Sequence, residues 1–175
     1  KAEAAVQDDP SLHTEQVRYP GHTGEMRAYL ARPKTDRKRP CAIVIHENRG
    51  LTPHIQDVTR RLAMEGFLAI APDALSPLGG TPEDADKTRS LMQQLDGPST
   101  IKNLVAAVQY LKTHPLSTGK VGCTGFCWGG AVTNQVAVNS PDLLAVVPYY
   151  GMPPASEDVP KIKGVHQAIR CGMLA

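Results

Sequence analysis

Short, uninterrupted apolar runs constrain this chain more than any other feature of its sequence. Residues 41–45 and 67–71 are apolar at every position, and two further short strands are predicted at residues 120–124 and 143–147. A strand without alternation is buried on both faces, which happens mainly in parallel sheets that are covered by helices. The sequence therefore predicts an α/β protein with a mainly parallel sheet.

The segments between these runs have the periodicity and the ends of amphipathic helices. Thr52 and Pro53 form a typical helix start, and Ile55, Val58 and Leu62 then recur at helical spacing. Three further helices are predicted, the first starting at Thr81-Pro82-Glu83-Asp84, the second with its apolar face within residues 101–111, and the third over residues 129–139. Helices are therefore expected on both faces of the sheet.

The amino-terminal segment has a different pattern. Residues 14–19 and 25–32 alternate between apolar and polar side chains, with a Pro- and Gly-containing turn between them. This pattern predicts an antiparallel hairpin with one side facing solvent. The sequence contains no repeat or linker, so residues 1–175 are interpreted as one α/β domain.

Composition excludes several classes of partner. The formal net charge is +2 and no basic block is present, so we expect no nucleic-acid partner. No apolar stretch has the length of a membrane span, and no signal-peptide core opens the chain. We therefore expect no membrane partner, and the compartment is left between cytoplasm and periplasm. The four cysteines are too few and too scattered for a disulfide scaffold.

The motif Gly125-Phe126-Cys127-Trp128-Gly129 lies between a predicted strand and a predicted helix. It has the form G-x-S-x-G with Cys in place of Ser, which is typical of a nucleophile elbow. Glycine at either end leaves room for a strained turn, and the helix amino terminus favours a thiolate at Cys127. One alternative is a buried, inert thiol. Redox pairing with Cys123 is disfavoured, because the spacing is C-x₃-C.

A second candidate segment, His46-Glu47-Asn48-Arg49-Gly50, directly follows the strand at residues 41–45. In this architecture the backbone N–H groups of Asn48 and Trp128 are predicted to form an oxyanion hole. Gly50 occupies the place of the second histidine of a zinc-binding H-E-x-x-H helix, so no metal is expected. Arg49 and His46 are candidates for contacting the substrate or tuning the thiol. An ordinary ion pair between Glu47 and Arg49 is the alternative.

Together these motifs resemble the dienelactone hydrolase family of α/β-hydrolases, from about residue 14 to about residue 163. The resemblance is carried by the His46–Gly50 loop, Pro72-Asp73, Gly119-Lys120-Val121-Gly122, Gly125-Phe126-Cys127-Trp128-Gly129-Gly130 and Pro148-Tyr149-Tyr150-Gly151. It implies a cysteine nucleophile that attacks ester or lactone carbonyls with the help of a histidine and an aspartate. It also implies that Glu47 contacts Cys127 in the resting enzyme, and that no cofactor is needed.

The chain departs from this family pattern at two places. In this family an arginine shortly after the Pro-Asp pair binds the substrate's carboxylate. Here no cationic residue lies between Asp73 and Leu78, so a less charged ester or lactone is expected as substrate. The only histidine after Cys127 is His166, a weak candidate for the base, and residues 164–175 do not look like the family. The triad acid and base and the last strands are therefore expected to be missing. Residues 143–147 would then form an apolar edge through which copies of the chain pair.

The sequence thus predicts a hydrolase of small carboxylic esters or lactones with catalytic residues Cys127 and Glu47. Its activity is expected to be weak or incomplete, since a nucleophile is normally activated by an adjacent base. The expected partner is a small-molecule ester or lactone. The alternative is a non-catalytic or binding remnant of the same fold.

Overall fold

A computed structural model describes residues 9–167, within which the chain forms seven strands and four α-helices. The strands are β1 (Leu12–Pro20), β2 (Glu25–Pro33), β3 (Arg39–Ile45), β4 (Leu68–Pro72), β5 (Ser117–Phe126), β6 (Ala145–Tyr149) and β7 (Val165–His166). The helices are α1 (Pro53–Met64), α2 (Ala85–Gln94), α3 (Gly97–Lys112) and α4 (Trp128–Asn139), with 3₁₀ turns at Ser76–Leu78 and Val159–Lys161. Among these residues, no helix combines the length and apolarity that crossing a membrane requires.

All seven strands form one sheet in the order β1-β2-β4-β3-β5-β6-β7. The first two pairings, β1 with β2 and β2 with β4, are antiparallel, and all later pairings are parallel. One apolar cluster joins the sheet to α3 and α4, and a second joins the opposite face to α1. This confirms the predicted α/β class, with helices on both faces and an amino-terminal hairpin at the edge.

Strand β3 shows why the apolar runs lack alternation. Ile43 and Ile45 belong to the cluster beneath α3 and α4, whereas Val44 belongs to the cluster beneath α1. Successive side chains of a strand point to opposite faces, so both faces of β3 must be apolar. The helix that follows begins as predicted, because the Thr52 side chain accepts a hydrogen bond from the Ile55 N–H.

The hairpin forms as predicted, but the expectation of one solvent-facing side holds only for β1. In β2, Leu30 packs in the first cluster, while Tyr29 and Ala31 pack against α1 in the second. The difference arises because β2 is not an edge strand. It lies between β1 and β4, so α1 covers its outer face.

The predicted start of α2 at Thr81 is wrong, since the helix begins at Ala85 with Asp84 as its N-cap. The Asp84 carboxylate accepts a hydrogen bond from the Lys87 N–H. Thr81 is used elsewhere, because its hydroxyl donates to Asp73 and accepts from the Leu51 N–H. A tertiary contact therefore takes the residue that the local pattern assigns to the cap.

The prediction that β6 is left as a bare edge is wrong for its first half. Ala145 and Val146 pair with Val165 and His166 of the two-residue strand β7. Thus one strand after β6 is present within residues 9–167. The rest of β6 has no partner on that side among the described residues.

Candidate active site

The candidate residues gather where four parallel strands end. The His46–Gly50 loop follows β3, Asp73 follows β4, Cys127 follows β5 and Tyr150 follows β6. In open α/β sheets, ligands bind outside the carboxyl ends of the strands. The topology therefore brings the separate sequence motifs to one edge of the sheet.

Cys127 lies at a sharp bend between β5 and α4. Its backbone angles are φ 56° and ψ −117°, a conformation that non-glycine residues rarely adopt. Its N–H donates to the Tyr149 carbonyl across 3.1 Å, which ties the bend to the end of β6. The thiol is exposed, so the alternative of a buried, inert cysteine does not describe this residue.

Glycines on either side make this bend sterically feasible. A Cβ on Gly125 would overlap the carbonyl of Gly129, one turn further along the chain. A Cβ on Gly129 would overlap the carbonyl oxygens of Ile45 and His46. The second contact brings the start of α4 against the end of β3, so the elbow and the His46–Gly50 loop are neighbours.

The two predicted oxyanion donors, the N–H groups of Asn48 and Trp128, belong to these neighbouring segments. Asn48 is exposed in the loop, and Trp128 is the first residue of α4. Among residues 9–167, neither N–H group has a hydrogen-bond acceptor. The Trp128 and His46 rings stack with their centroids 5.5 Å apart, so the two segments also touch through side chains.

His46 is fully buried, and both of its ring nitrogens bond to the backbone. Its Nδ1 lies 2.7 Å from the Glu47 carbonyl, and its Nε2 accepts the Ala74 N–H across 3.0 Å. Burial lowers the pKa of His46, and this outweighs the opposing effects of Asp73 and Glu47. The structure therefore leaves no ring nitrogen of His46 free to contact a substrate, whereas the other predicted role, tuning of the thiol, stays a prediction.

Glu47 and Arg49 lie in the loop without forming the ion pair that was the alternative. No ion pair joins them within the described part of the chain. Both line a cleft of about 370 Å³ together with Thr52, Pro53 and His54. His54 has no motif around it that could have singled it out. The Cys127 side chain does not cap α4, and the implied contact between Glu47 and Cys127 stays a prediction.

Sequence analysis did not predict a polar clamp, formed by Asp73 and Thr81, that supports the His46–Gly50 loop. The Asp73 carboxylate accepts hydrogen bonds from the Leu75 N–H and from both the N–H and the hydroxyl of Thr81. The same Thr81 hydroxyl accepts the Leu51 N–H across 2.9 Å. The one available signal was the position of Asp73 directly after a buried strand.

His166 is not brought to the elbow. It lies in β7 opposite Val146, which itself pairs with Cys123, and its Nε2 lies 2.8 Å from the Asn134 Oδ1. Cys127 is four residues further along than Cys123, which corresponds to about 13 Å of strand. A proton transfer between His166 and the Cys127 sulfur would require a rearrangement of this end of the sheet.

The remaining thiols do not belong to the site. Cys41 and Cys123 are buried, and burial raises the pKa of Cys123 to about 12. Cys171 and most of the atypical tail lie outside the described residues. Within residues 9–167, His, Cys, Asp and Glu side chains form no group of three that could hold a metal ion.

Comparison with known proteins identifies similar chains. YghX of Escherichia coli K12, provisionally named a hydrolase fragment, is 51% identical over 92 residues, which cover 50% of this chain and 78% of YghX. A protein of Salmonella typhi, provisionally named a carboxymethylenebutenolidase, is 37% identical over 137 residues, which cover 75% of this chain and 50% of that protein. The chain thus spans about half the length of that relative.

Solved structures and a family model agree with these sequence relatives. The dienelactone hydrolase-like promiscuous phosphotriesterase P91, from metagenomic libraries, is 27% identical with a TM-score of 0.79. The match covers 91% of this chain and 69% of P91. The model of the dienelactone hydrolase family matches residues 26–171, which is most of the chain. The chain therefore belongs to the dienelactone hydrolase family, a family of hydrolases with the α/β fold found here.

Proposed function

We propose that this chain acts on small carboxylic esters or lactones through a cysteine nucleophile, Cys127. The observation that carries the proposal is the exposed thiol at a positive φ of 56°, at the amino terminus of α4. Strained backbone of this kind clusters at functional sites, because the surrounding structure must hold it in place. The helix amino terminus adds a positive potential that favours the thiolate.

The proposed reaction begins when the Cys127 sulfur attacks the carbonyl carbon and the carbonyl oxygen becomes negatively charged. The N–H groups of Asn48 and Trp128 are the candidate donors to this oxygen. Removing one such donor from a hydrolase typically costs about 100-fold to 1000-fold in rate. The tetrahedral intermediate then expels the alcohol, which takes up a proton, and leaves a thioester on Cys127. Water hydrolyses the thioester in a second step and regenerates the thiol.

The surroundings favour a substrate without a carboxylate on its acyl part. The loop after β4 carries no cation between Asp73 and Leu78. Arg49 and Glu47 offer one charge of each sign in the adjoining cleft, which has room for a small group. A short, neutral ester is therefore the substrate of choice for a first test.

The test is pre-steady-state reaction with p-nitrophenyl acetate, followed by p-nitrophenolate absorbance and intact mass. The wild-type chain should rapidly release about one equivalent of p-nitrophenolate per chain, and its mass should increase by one acetyl group. Cys127→Ala should show neither. Cys123→Ala is the matched control and should keep the burst, because that thiol is buried in the core. An equal burst from wild type and Cys127→Ala would remove Cys127 from the mechanism.

One specific observation favours a second candidate function. In it, the chain is a remnant of the fold that binds a ligand or is acylated without catalytic turnover. Within residues 9–167 the Cys127 sulfur has no hydrogen-bonded base, and His46 and His166 are bonded elsewhere. Deacylation normally needs such a base. A burst followed by slow or absent steady-state turnover would identify a nucleophile that lacks the second half of its machinery. The absence of both burst and turnover would favour a binding role.

A further inference from the structure

We propose that His46 is a positioning residue that aims the Asn48 N–H into the oxyanion site. This inference rests on the proposed function, since it assigns a role to a residue behind the same site. It comes from the bonds of one peptide unit, the unit that contains the Glu47 carbonyl and the Asn48 N–H.

The orientation of this peptide unit is held through its carbonyl end. The Glu47 oxygen is 2.7 Å from His46 Nδ1 and also accepts the Gly50 N–H across 3.2 Å. The described peptide bonds are all trans, so the carbonyl and N–H of one unit point in opposite directions. Two donors on the Glu47 oxygen therefore turn the Asn48 N–H away from His46, and Asn48 is exposed.

The other ring nitrogen of His46 selects the tautomer that this arrangement needs. The Ala74 N–H can only donate, so Nε2 must be the unprotonated nitrogen and Nδ1 must carry the hydrogen. In a doubly protonated ring, the Nε2–H of His46 would point at the backbone N–H of Ala74, and the two donors would repel each other. The carboxylates that face the ring are Asp73, with Oδ1 4.0 Å from Nε2, and Glu47. Complete burial opposes the charge that they would otherwise favour.

The Trp128 N–H, the second predicted oxyanion donor, is also oriented through the carbonyl end of its peptide unit. The Cys127 carbonyl accepts the Ala131 N–H across 3.1 Å, so the Trp128 N–H of that peptide unit points away from the helix. The Trp128 ring lies nearly parallel to the His46 ring, at an interplanar angle of 17°. His46 thus contacts both of the segments that carry the donors. It acts on the reaction through them and does not touch the substrate.

Three variants separate the functions of the ring. His46→Phe keeps an aromatic ring against Trp128 but removes both hydrogen bonds. His46→Asn keeps a donor, because its amide nitrogen is bonded to Cγ, as Nδ1 is, and it can still bond to the Glu47 carbonyl. His46→Gln extends further, like Nε2, and does not replace the Nδ1 donor.

The experiment compares two reactions of the same thiol. Acylation by p-nitrophenyl acetate develops an oxyanion, whereas alkylation by iodoacetamide displaces iodide and develops none. We expect His46→Phe and His46→Gln to slow acylation by at least tenfold while alkylation of Cys127 stays within about twofold. His46→Asn should recover most of the acylation rate. Cys41 and Cys123 should stay unalkylated in every variant, because they are buried in the folded chain and only a loss of structure would expose them to iodoacetamide.

Equal acylation rates in wild type and His46→Phe would overturn the inference while leaving the proposed function intact. If iodoacetamide alkylates Cys127 of the wild-type chain but p-nitrophenyl acetate does not acylate it, the proposed function itself is contradicted. Imidazole ¹⁵N chemical shifts then test the inference without catalysis. A neutral His46 ring with the hydrogen on Nδ1 at pH 7 supports it, and a hydrogen on Nε2 contradicts it.

Discussion

Cys123 and Cys127 are close in sequence and opposite in environment, which shows how much the site depends on single residues. Cys123 lies in β5 with its thiol in the core, near the Thr133 hydroxyl. Cys127 lies just beyond the strand, where the chain turns and the side chain is exposed. The change from strand to bend, which the flanking glycines permit, separates a core residue from a candidate nucleophile.

Replacing one of those glycines should damage the elbow directly. We expect Gly129→Ala to destabilise the fold by about 1–3 kcal/mol, because the new methyl group overlaps the backbone at the end of β3. Urea unfolding measures this change. Gly97→Ala is the matched control, since its Cβ meets no atom within 4 Å. A Gly129→Ala chain as stable as the control would contradict the close packing.

His46 should also make the stability depend on pH. Burial holds the pKa of His46 below its ordinary value of 6.5, so the unfolded chain binds a proton before the folded chain does. We therefore expect the free energy of unfolding to fall as the pH is lowered below about 6.5. The slope from one such group reaches at most about 1.4 kcal/mol per pH unit.

The control for this pH dependence is His46→Asn, which does not titrate in this range. Urea unfolding of both chains between pH 5 and pH 7.5 isolates the contribution of His46, because all other groups are common to the two. Parallel stability curves would show that the buried ring does not govern this loss.

At the scale of elements, the site is a set of loops that the ends of parallel strands bring together. The loop after β3 presents the Asn48 N–H, and the segment after β4 supports it from behind. Leu51 in the first loop bonds to Thr81 in the second, and Thr81 is bonded to Asp73. Gly50 has a φ of 74° and lies so close to Thr81 that no side chain fits there. The loops therefore form one connected unit.

Removing the hydroxyl at the centre of this unit should loosen it. We expect Thr81→Val to cost about 1–3 kcal/mol, since the Leu51 N–H and the Asp73 carboxylate each lose a partner. Thr118→Val is a suitable control, because Thr118 is exposed and accepts only a long bond of 3.4 Å from the Lys120 N–H. Hydrogen exchange at Leu51 should rise in the first variant alone. Unchanged exchange there would argue against the clamp.

At the scale of the whole molecule, the sheet is covered unevenly. Helices cover both faces around β3 and β4, but the side of β5 and β6 that faces α1 opens into an apolar cavity of about 330 Å³. Beside it, Leu144 and Val165 are 49% and 74% exposed. Exposed apolar residues next to a short strand that is incompletely paired within residues 9–167 favour association with other chains.

We therefore expect the chain to self-associate as its concentration rises, with the β6–β7 edge at the contact. Sedimentation velocity over a range of concentrations measures this. Leu144→Lys should shift the distribution towards monomer, because it adds a charge beside the edge. Leu78→Lys is the control, since Leu78 is 39% exposed in the 3₁₀ turn after β4. Equal shifts in both variants would place the contact elsewhere.

Much of this architecture could be predicted because it is encoded locally. The apolar run that contains Val44 indicated a strand buried on both faces, and Thr52 with Pro53 marked the start of α1 within one residue. The bend at Cys127 was predictable, because only glycine tolerates the close approach at positions 125 and 129. The start of α2 was not, since Thr81 satisfies the local rule for a cap but is held by a distant carboxylate.

The sequence by itself determined the order of most strands and helices, the burial of both faces of β3 and β4, and the bend at Cys127. These properties depend on side-chain period and on steric demands within a few residues. Only the tertiary structure decided what the polar side chains of the site do. His46 meets Ala74 across 28 residues and Leu51 meets Thr81 across 30, so their partners are set by strand order and register. A hydrogen bond is short and directional, and no local pattern specifies a partner that the folded sheet alone brings within 3 Å.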